Sequence, residues 1–409
     1  MRRTIVPVVT AFLAGLVPAG TAAGQSVPPP TPVPPSGSPS PFPTALETPE
    51  PSRQPPELAA GSAALVDLDS GQLLFQHNAR ERRPIASTTK IVTALLVLEA
   101  VRPGDRVTAT PNAASQTGAM LGLEAGERIS VRDLLQALLL SSANDAAVAL
   151  AEHVAGSVDA FLERMNDRMH QLGARDSRFE SPNGLDDDGY STAGDLARLT
   201  VEAYRNPTFA DVVAAKAAEI PAPTGPPRVL QNRNALLWLY PDAIGVKTGF
   251  TSAAGHCLVS AAERDGMRLA AVVLGSPVEA FSDSAALLNY GFETFERRTV
   301  VERGQSFGSI AVEDREVDVV ADVPLEVLLR RGRDTHAEVR PRPGLSLPLA
   351  AGQRVGTAVI SAGRQVLGEV PLVTTNAVSV PPVPERPWWE KAWDGVAGFF
   401  VGLFRAVFG

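Results

Sequence analysis

One cysteine in a chain of 409 residues excludes a disulfide within the chain and a multi-thiolate zinc site. Positive charge is also scarce: 37 Lys and Arg face 45 Asp and Glu, a formal charge of −8. A surface for nucleic-acid phosphates needs the opposite excess, so no nucleic-acid partner is expected. Neither terminal apolar stretch reaches the ~20 residues that a spanning helix needs. Metal ligands are lacking too. Asp186-Asp187-Asp188 has no His or second carboxylate group at ligand spacing, and Gly184 and Gly189 flank it, so it reads as a solvated turn. His153 and His170 lie in helical stretches without partners. Cys257, inside an apolar run, reads as a buried structural thiol rather than a nucleophile. Neither a metal nor a cofactor is expected.

What remains has an ordinary globular composition, 44 % apolar and 20 % charged, with enough length for two domains. The N-terminus carries Met1-Arg2-Arg3, an apolar run over residues 5–17 and then Thr21-Ala22-Ala23. This is a secretory signal pattern with cleavage expected after Ala23; an uncleaved anchor is the alternative, and either exports the protein. Residues 24–57 are dominated by Pro, Ser and Thr and form an extended tether rather than a core. The chain ends with Trp388, Trp389 and Trp393 ahead of GVAGFFVGLFRAVFG, which follows a proline-rich break. Residues 381–409 therefore read as an amphipathic helix lying in a membrane interface, the alternative being a helix docked on the core.

Between these ends the periodicity changes twice. Two strands around Asp69-Ser70-Gly71-Gln72 form a hairpin. Helices are predicted at 87–100, 131–140, 144–154, 158–172 with Ser157 as N-cap, and 192–204 with Ser191 as N-cap. Strands return at 243–250, 256–262 and 268–275, and a helix at 283–295 closes the domain. A hairpin, a run of helices, three strands and a helix fit an α+β domain over 58–298, an antiparallel sheet built from both ends of the segment with a helical insertion. Residues 299–380 switch to short strands with Gly and Pro turns, a small all-β domain without a catalytic cluster.

Three motifs carry chemistry. In Ser87-Thr88-Thr89-Lys90 the serine and lysine are three apart, so their side chains share a helix face. A serine hydroxyl needs a base, and Lys90 can be one only when burial or a second positive charge keeps it neutral. In Ser142-Ala143-Asn144 the serine can relay a proton, and the asparagine can bond the substrate amide or hold Lys90. In Lys247-Thr248-Gly249 the missing Cβ lets a substrate backbone lie against the strand, while Thr248 and Lys247 offer a hydroxyl and a charge to a carboxylate. Each alone also describes something plainer: a capped helix with a solvated lysine, a helix–helix turn, an exposed strand end. In this order, each on the element its role requires, they describe an acyl-transfer site.

The stretches RRPIASTTKIVTALLVLE, LLLSSANDAAVALAEHVAGS, SPNGLDDDGYSTAGDLARL and IGVKTGFTSAAGHCLVSAAERDGMRLAAVVLG resemble the low-molecular-mass penicillin-binding D-alanyl-D-alanine carboxypeptidases. The likeness covers roughly residues 60–375, including LSLPLAAGQRVGTAVISAGRQVLGEVPLV in the second domain. It implies a penicillin-recognising serine-transferase fold, β-lactamase/transpeptidase-like, and a membrane-tethering tail. It also implies an oxyanion hole from the backbone N–H groups of Ser87 and Phe250. The expected site is then Ser87, Lys90 and Ser142 for catalysis, with Asn144, Lys247, Thr248, Gly249, Phe250 and Thr251 binding substrate. The implied partners are a peptidoglycan stem peptide, β-lactam antibiotics and the outer face of the cytoplasmic membrane.

Two features depart from that family. Asn183 stands where many members have His. No Arg occurs between Val272 and Glu296, where members usually carry one that reaches the substrate carboxylate; Ala280 aligns there. Thr248, Thr251 or a residue elsewhere must replace it. The rival readings are a β-lactamase, for which no E-x-x-L-N element follows the second motif, a D-alanyl-diaminopimelate endopeptidase, and a catalytically dead sensing or wall-binding module.

Overall fold

The computed structural model describes residues 54–186, 188–380 and 388–408. The expected secretory segment, and all of the expected tether except 54–57, lie outside those residues.

The first strand, β1 (Ser62–Asp67), is buried along its whole length. It pairs antiparallel with β2 (Leu73–His77) on one side. On the other it pairs with a strand more than 200 residues away in sequence, in the run β3 (Ala243–Thr251), β4 (Gly255–Arg264) and β5 (Met267–Ser276). The sheet order is β2-β1-β5-β4-β3, antiparallel throughout. Alternate residues of β1 serve different cores. Ala64 and Val66 join the cluster beneath the helices, and Ala63 and Leu65 join a second cluster on the opposite face. A sheet covered on both faces needs apolar residues on both, which is why β1, β4 and β5 read as continuous apolar runs rather than alternating ones.

The helical insertion supplies α1 (Lys90–Ala100), α2 (Val131–Gln136), α3 (Asn144–Ala155), α4 (Val158–Gln171), α5 (Ala193–Ala203) and α6 (Pro207–Ala214). The opposite face is closed by α7 (Phe281–Thr294). Asp283 in its first turn accepts hydrogen bonds from the backbone N–H groups of Ala59 and Ala60, at 3.2 and 2.8 Å, and so fastens the start of the fold to its last helix.

Three helix ends differ from expectation. Ser87 does not open α1; it lies in a 3₁₀ turn, Ala86–Thr89, that leads into it. The helix expected at 131–140 stops being α-helical at Gln136 and continues as a π turn, Ala137–Ser141. The N-cap of α5 is Thr192, whose hydroxyl accepts from the Asp195 N–H at 3.1 Å. Ser191 is drawn away into a β-bridge with Arg83 and a hydroxyl contact with Ser177. Helix α6 and two short ladders, Arg106–Thr108 with Arg128–Ser130 and Ala217–Ile220 with Arg228–Gln231, carry too few residues for their periodicity to stand out.

Immediately after α7 the all-β part begins with β6 (Phe295–Val301), β7 (Ser306–Val312), β8 (Arg315–Ala321), β9 (Leu325–Arg330), β10 (His336–Pro341), β11 (Arg354–Ala362) and β12 (Gln365–Thr374). A two-stranded ladder, β6–β9, leans on a five-stranded sheet of order β7-β8-β12-β11-β10 with its own apolar core. Arg297 on β6 reaches back to Asp67 and Asp69 of the first hairpin, at 3.1 and 2.7 Å. Residues Trp388–Phe408 form α8. Among the described residues no helix is long and apolar enough to cross a membrane.

Candidate active site

The three motifs, far apart in sequence, converge where β3 passes the 3₁₀ turn. Gly249 explains how closely. A Cβ at that position would stand 3.0 Å from the Ile85 carbonyl oxygen and 3.1 Å from the backbone nitrogens of Ser87 and Thr88. A side chain here would force the strand and the turn a few tenths of an ångström apart, so the glycine sets how closely they touch.

Lys90 is fully buried, yet no carboxylate accepts from it. Its Nζ lies 2.8 Å from Asn144 Oδ1, 2.6 Å from the Asn183 carbonyl oxygen and 2.9 Å from Ser87 Oγ. A neutral amine has two N–H donors and one lone pair. The two carbonyl-type oxygens can only accept, so they take both donors, and the lone pair is left facing the serine hydroxyl. Burial first, then the charges of Lys247 and Arg233, hold this amine well below the ordinary lysine value, against the opposing pull of Asp145. Asp145 is buried but committed elsewhere: its oxygens accept from the N–H groups of Leu121, Gly122 and Leu123 and fix the loop that Asn144 also holds through Thr117 O.

Two non-glycine residues beside the cleft sit in the left-handed region, Ala86 at φ 47° just before Ser87 and Ser142 at φ 66°. Such conformations cost about 1–3 kcal/mol each and persist where surrounding packing enforces them. Ser142 is buried, ends the π turn and lines the cleft, and its hydroxyl has no hydrogen-bond partner among the described residues. Lys247 is buried on β3, and its Nζ donates to the Thr248 carbonyl oxygen at 2.8 Å. Burial, and then Arg233, push this amine down to about 7.

These groups open into a cavity of about 360 Å³ lined by Ser87, Ser142, Asn144, Thr248, Gly249 and Phe250, among others. Neither Lys90 nor Lys247 lines it; they touch its lining residues Ser87 and Thr248 through their amines. Thr251 does not line it; its hydroxyl instead accepts from the Ala254 N–H at 3.1 Å and shapes the β3–β4 turn. Phe250 is 60 % exposed, its ring 4.6 Å from that of His256. Cys257 pairs with Gly249 across the ladder, and burial pushes its thiol up to about 11, consistent with an inert packing role.

A serine and a lysine in this relation, a relay hydroxyl and a glycine-bearing strand are the machinery of acyl transfer. A family model described as D-alanyl-D-alanine carboxypeptidase matches residues 49–278. The chain belongs to this carboxypeptidase family. A second model, described as the C-terminal domain of penicillin-binding protein 5, matches residues 295–380. The D-alanyl-D-alanine carboxypeptidase DacF of Bacillus subtilis is 32 % identical over 327 residues, 76 % of this chain and 84 % of the relative. DacD of Escherichia coli is 34 % identical over 349 residues, 80 % of this chain and 89 % of the relative. The structure of penicillin-binding protein 5 from Haemophilus influenzae superposes with a TM-score of 0.65 at 30 % identity, covering 80 % of this chain and 99 % of that one. Both the α+β transferase fold and the appended β-domain expected from sequence are those of the family.

The carboxypeptidase site contains residues that the sequence did not announce. Arg233 lines the cavity on a turn fixed by two buried asparagines, and its backbone N–H donates to Leu140 O at 3.0 Å. Asn232 Nδ2 donates to Ala215 O, and Asn234 Oδ1 accepts from the Leu236 N–H. Among the described residues the guanidinium has no ion-pair or hydrogen-bond partner. A lone Arg 14 residues before Lys247 belongs to no motif; a polar N-R-N run next to apolar ALLWL was the only hint. The Asn183 carbonyl was likewise invisible, being backbone. Its approach depends on Gly184, at φ +76°, where a Cβ would fall 2.1 Å from Ala86 O.

Proposed function

We propose that this serine carboxypeptidase releases the terminal D-alanine of a peptidoglycan stem peptide through an acyl-enzyme on Ser87. The observation that carries the reading is the buried Lys90 amine, its two N–H groups committed to Asn144 and Asn183 and its remaining valence directed at Ser87 Oγ, 2.9 Å away.

Ser87 Oγ attacks the carbonyl carbon between the two D-alanines while its proton passes to Lys90. The carbonyl oxygen becomes an oxyanion, stabilised by the backbone N–H groups of Ser87 and Phe250. The C–N bond then breaks, and the proton travels from Lys90 through the Ser142 hydroxyl to the departing amine nitrogen. Water attacks the acyl carbon, gives a proton to Lys90 and restores Ser87. A β-lactam acylates the same oxygen. Asn144 orients the substrate amide, and Gly249 lets its backbone lie along β3.

The missing Arg near Ala280 does not leave the substrate carboxylate without a base. Arg233 and Thr248 line the same cavity with unspent donors, and Lys247 lies beneath Thr248. A charge-assisted contact of this kind contributes about 1.5–3 kcal/mol.

The tail reading rests on α8. Trp389, Trp393, Val396, Phe400, Leu403 and Phe404 recur at helical spacing and are exposed, while Gly395, Gly398 and Gly402 lie on the other side. Such a helix lies along a membrane interface. Together with the secretory pattern at the N-terminus, it supports a protein held on the outer face of the cytoplasmic membrane.

Incubation with penicillin followed by intact-mass measurement tests the serine. One adduct is expected on the wild-type chain and none on Ser87→Ala; an adduct that survives the substitution removes Ser87 from the reaction. Release of D-alanine from a stem pentapeptide tests the substrate.

A further inference from the structure

The wall of the cleft beyond Thr248 carries a charge that a D-alanine leaving residue does not use. The β3–β4 register sets Thr248 opposite Leu258 and Gly249 opposite Cys257. Leu258, Cys257 and His256 line the cavity together with Glu279, Ala280 and Phe281, from the connection between β5 and α7. The departing residue, whose carboxylate meets Thr248 and Arg233 in the reading above, therefore faces this connection.

Glu279 is exposed to the cavity, and among the described residues neither an ion pair nor a hydrogen bond engages its carboxylate. The segment Pro277-Val278-Glu279-Ala280-Phe281 contains no base, and Ala280 is buried and apolar. The leaving-residue side thus presents one unspent cation, Arg233, and one unspent anion, Glu279. An acid beside a carboxylate subsite disfavours an anionic ligand unless the ligand also brings a positive charge. D-alanine brings only the carboxylate.

We propose that Glu279 is a specificity-determining residue that favours leaving residues with a side-chain ammonium, as in a D-configured diamino acid, whose α-carboxylate meets Arg233 while its side-chain amine meets Glu279. The bond broken and the proton path are unchanged; only recognition of the departing amino acid differs. This inference rests on the acyl-transfer reading of the site.

The test uses the full chain and a series of diacetyl-L-Lys-D-Ala-D-Xaa peptides, with Xaa D-alanine, D-lysine, D-norleucine or D-glutamate, scored by kcat/KM for release of the last residue. D-lysine and D-norleucine have similar length and differ in charge. At low ionic strength the wild type is expected to prefer D-lysine over D-norleucine about 1.5-fold to fivefold, the range for an exposed ion pair, with the preference shrinking as salt is added. Glu279→Gln should bring the ratio to about one, and Glu279→Lys should shift preference toward D-glutamate. Equal rates for D-lysine and D-norleucine in the wild type, or a preference that persists in Glu279→Gln, overturn the proposal. If no peptide of the series is cleaved, including the D-alanine one, the carboxypeptidase reading itself fails and this inference falls with it.

Discussion

Lys247 donates to the carbonyl oxygen of its own neighbour Thr248, at 2.8 Å, and pairs with no acid among the described residues. A buried amine with one neutral acceptor and a nearby guanidinium is ready both to lose its proton and to gain a carboxylate. Substrate supplies that carboxylate, so binding and protonation of Lys247 are coupled.

The coupling predicts the pH profile. Lys247 attracts a carboxylate only as an ammonium and loses its proton as the pH rises through about 7. Lys90 acts only as a neutral amine and gains its proton as the pH falls through its lowered value. A bell-shaped kcat/KM is expected, with its basic limb near 7 and that limb moved upward in kcat, because bound substrate holds the Lys247 proton. Lys247→Arg should abolish the basic limb; a limb near 7 that remains in this variant belongs to another group.

The same burial predicts a stability effect. Between about 7 and the ordinary value of 10.5 the unfolded chain holds the Lys247 proton while the folded chain does not, so this residue's contribution to stability improves as the pH rises through that window. Lys247→Met removes the cost of burying the amine. Its thermal midpoint should exceed that of the wild type by several degrees at pH 7, with the gap closing toward pH 10, and catalysis should be lost. A midpoint below wild type at pH 7 would show that the amine is not destabilising.

Lys90→Arg retains positive charge but has no proton to give up at accessible pH. Acylation by penicillin, followed by stopped-flow or quench mass spectrometry, should slow by at least ~100-fold, the lower range for loss of a general base. Near-normal acylation would exclude Lys90 as that base.

Gly249→Ala places a methyl group 3.0–3.1 Å from three backbone atoms of the Ile85–Thr88 segment. The neighbours are backbone, so they cannot swing aside; β3 and the 3₁₀ turn must separate. A shift of a few tenths of an ångström weakens an oxyanion donor without removing it, so kcat should fall, by less than the roughly 100-fold that follows outright loss of a donor. Unchanged turnover with an unchanged circular-dichroism spectrum would mean that the two elements yield without disturbing the site.

Deleting residues from Pro384 onward removes the exposed aromatic stripe of α8. Sedimentation with anionic-lipid vesicles should fall to background while hydrolysis of a soluble peptide stays at the wild-type rate. Retention of the shortened protein on vesicles would locate the attachment elsewhere.

The sequence by itself determined the chemistry: Ser87 with Lys90, Ser142 with Asn144, and Lys247-Thr248-Gly249 are short motifs whose spacing carries their meaning, because residues three apart on a helical turn share a face and successive strand residues alternate between faces. It also determined the change from a helix-rich domain to an all-β one, since a period of 3.6 or 2 is a local property. Only the tertiary structure decided what surrounds the nucleophile. The two carbonyl oxygens on Lys90, the guanidinium of Arg233 and the carboxylate of Glu279 come from segments 54 to 189 residues away from Lys90, the first two from the helical insertion and the others from the segments flanking β3 and β5. The neutrality of Lys90 belongs to that second group. It depends on burial and on Lys247, and both exist only once the sheet has closed.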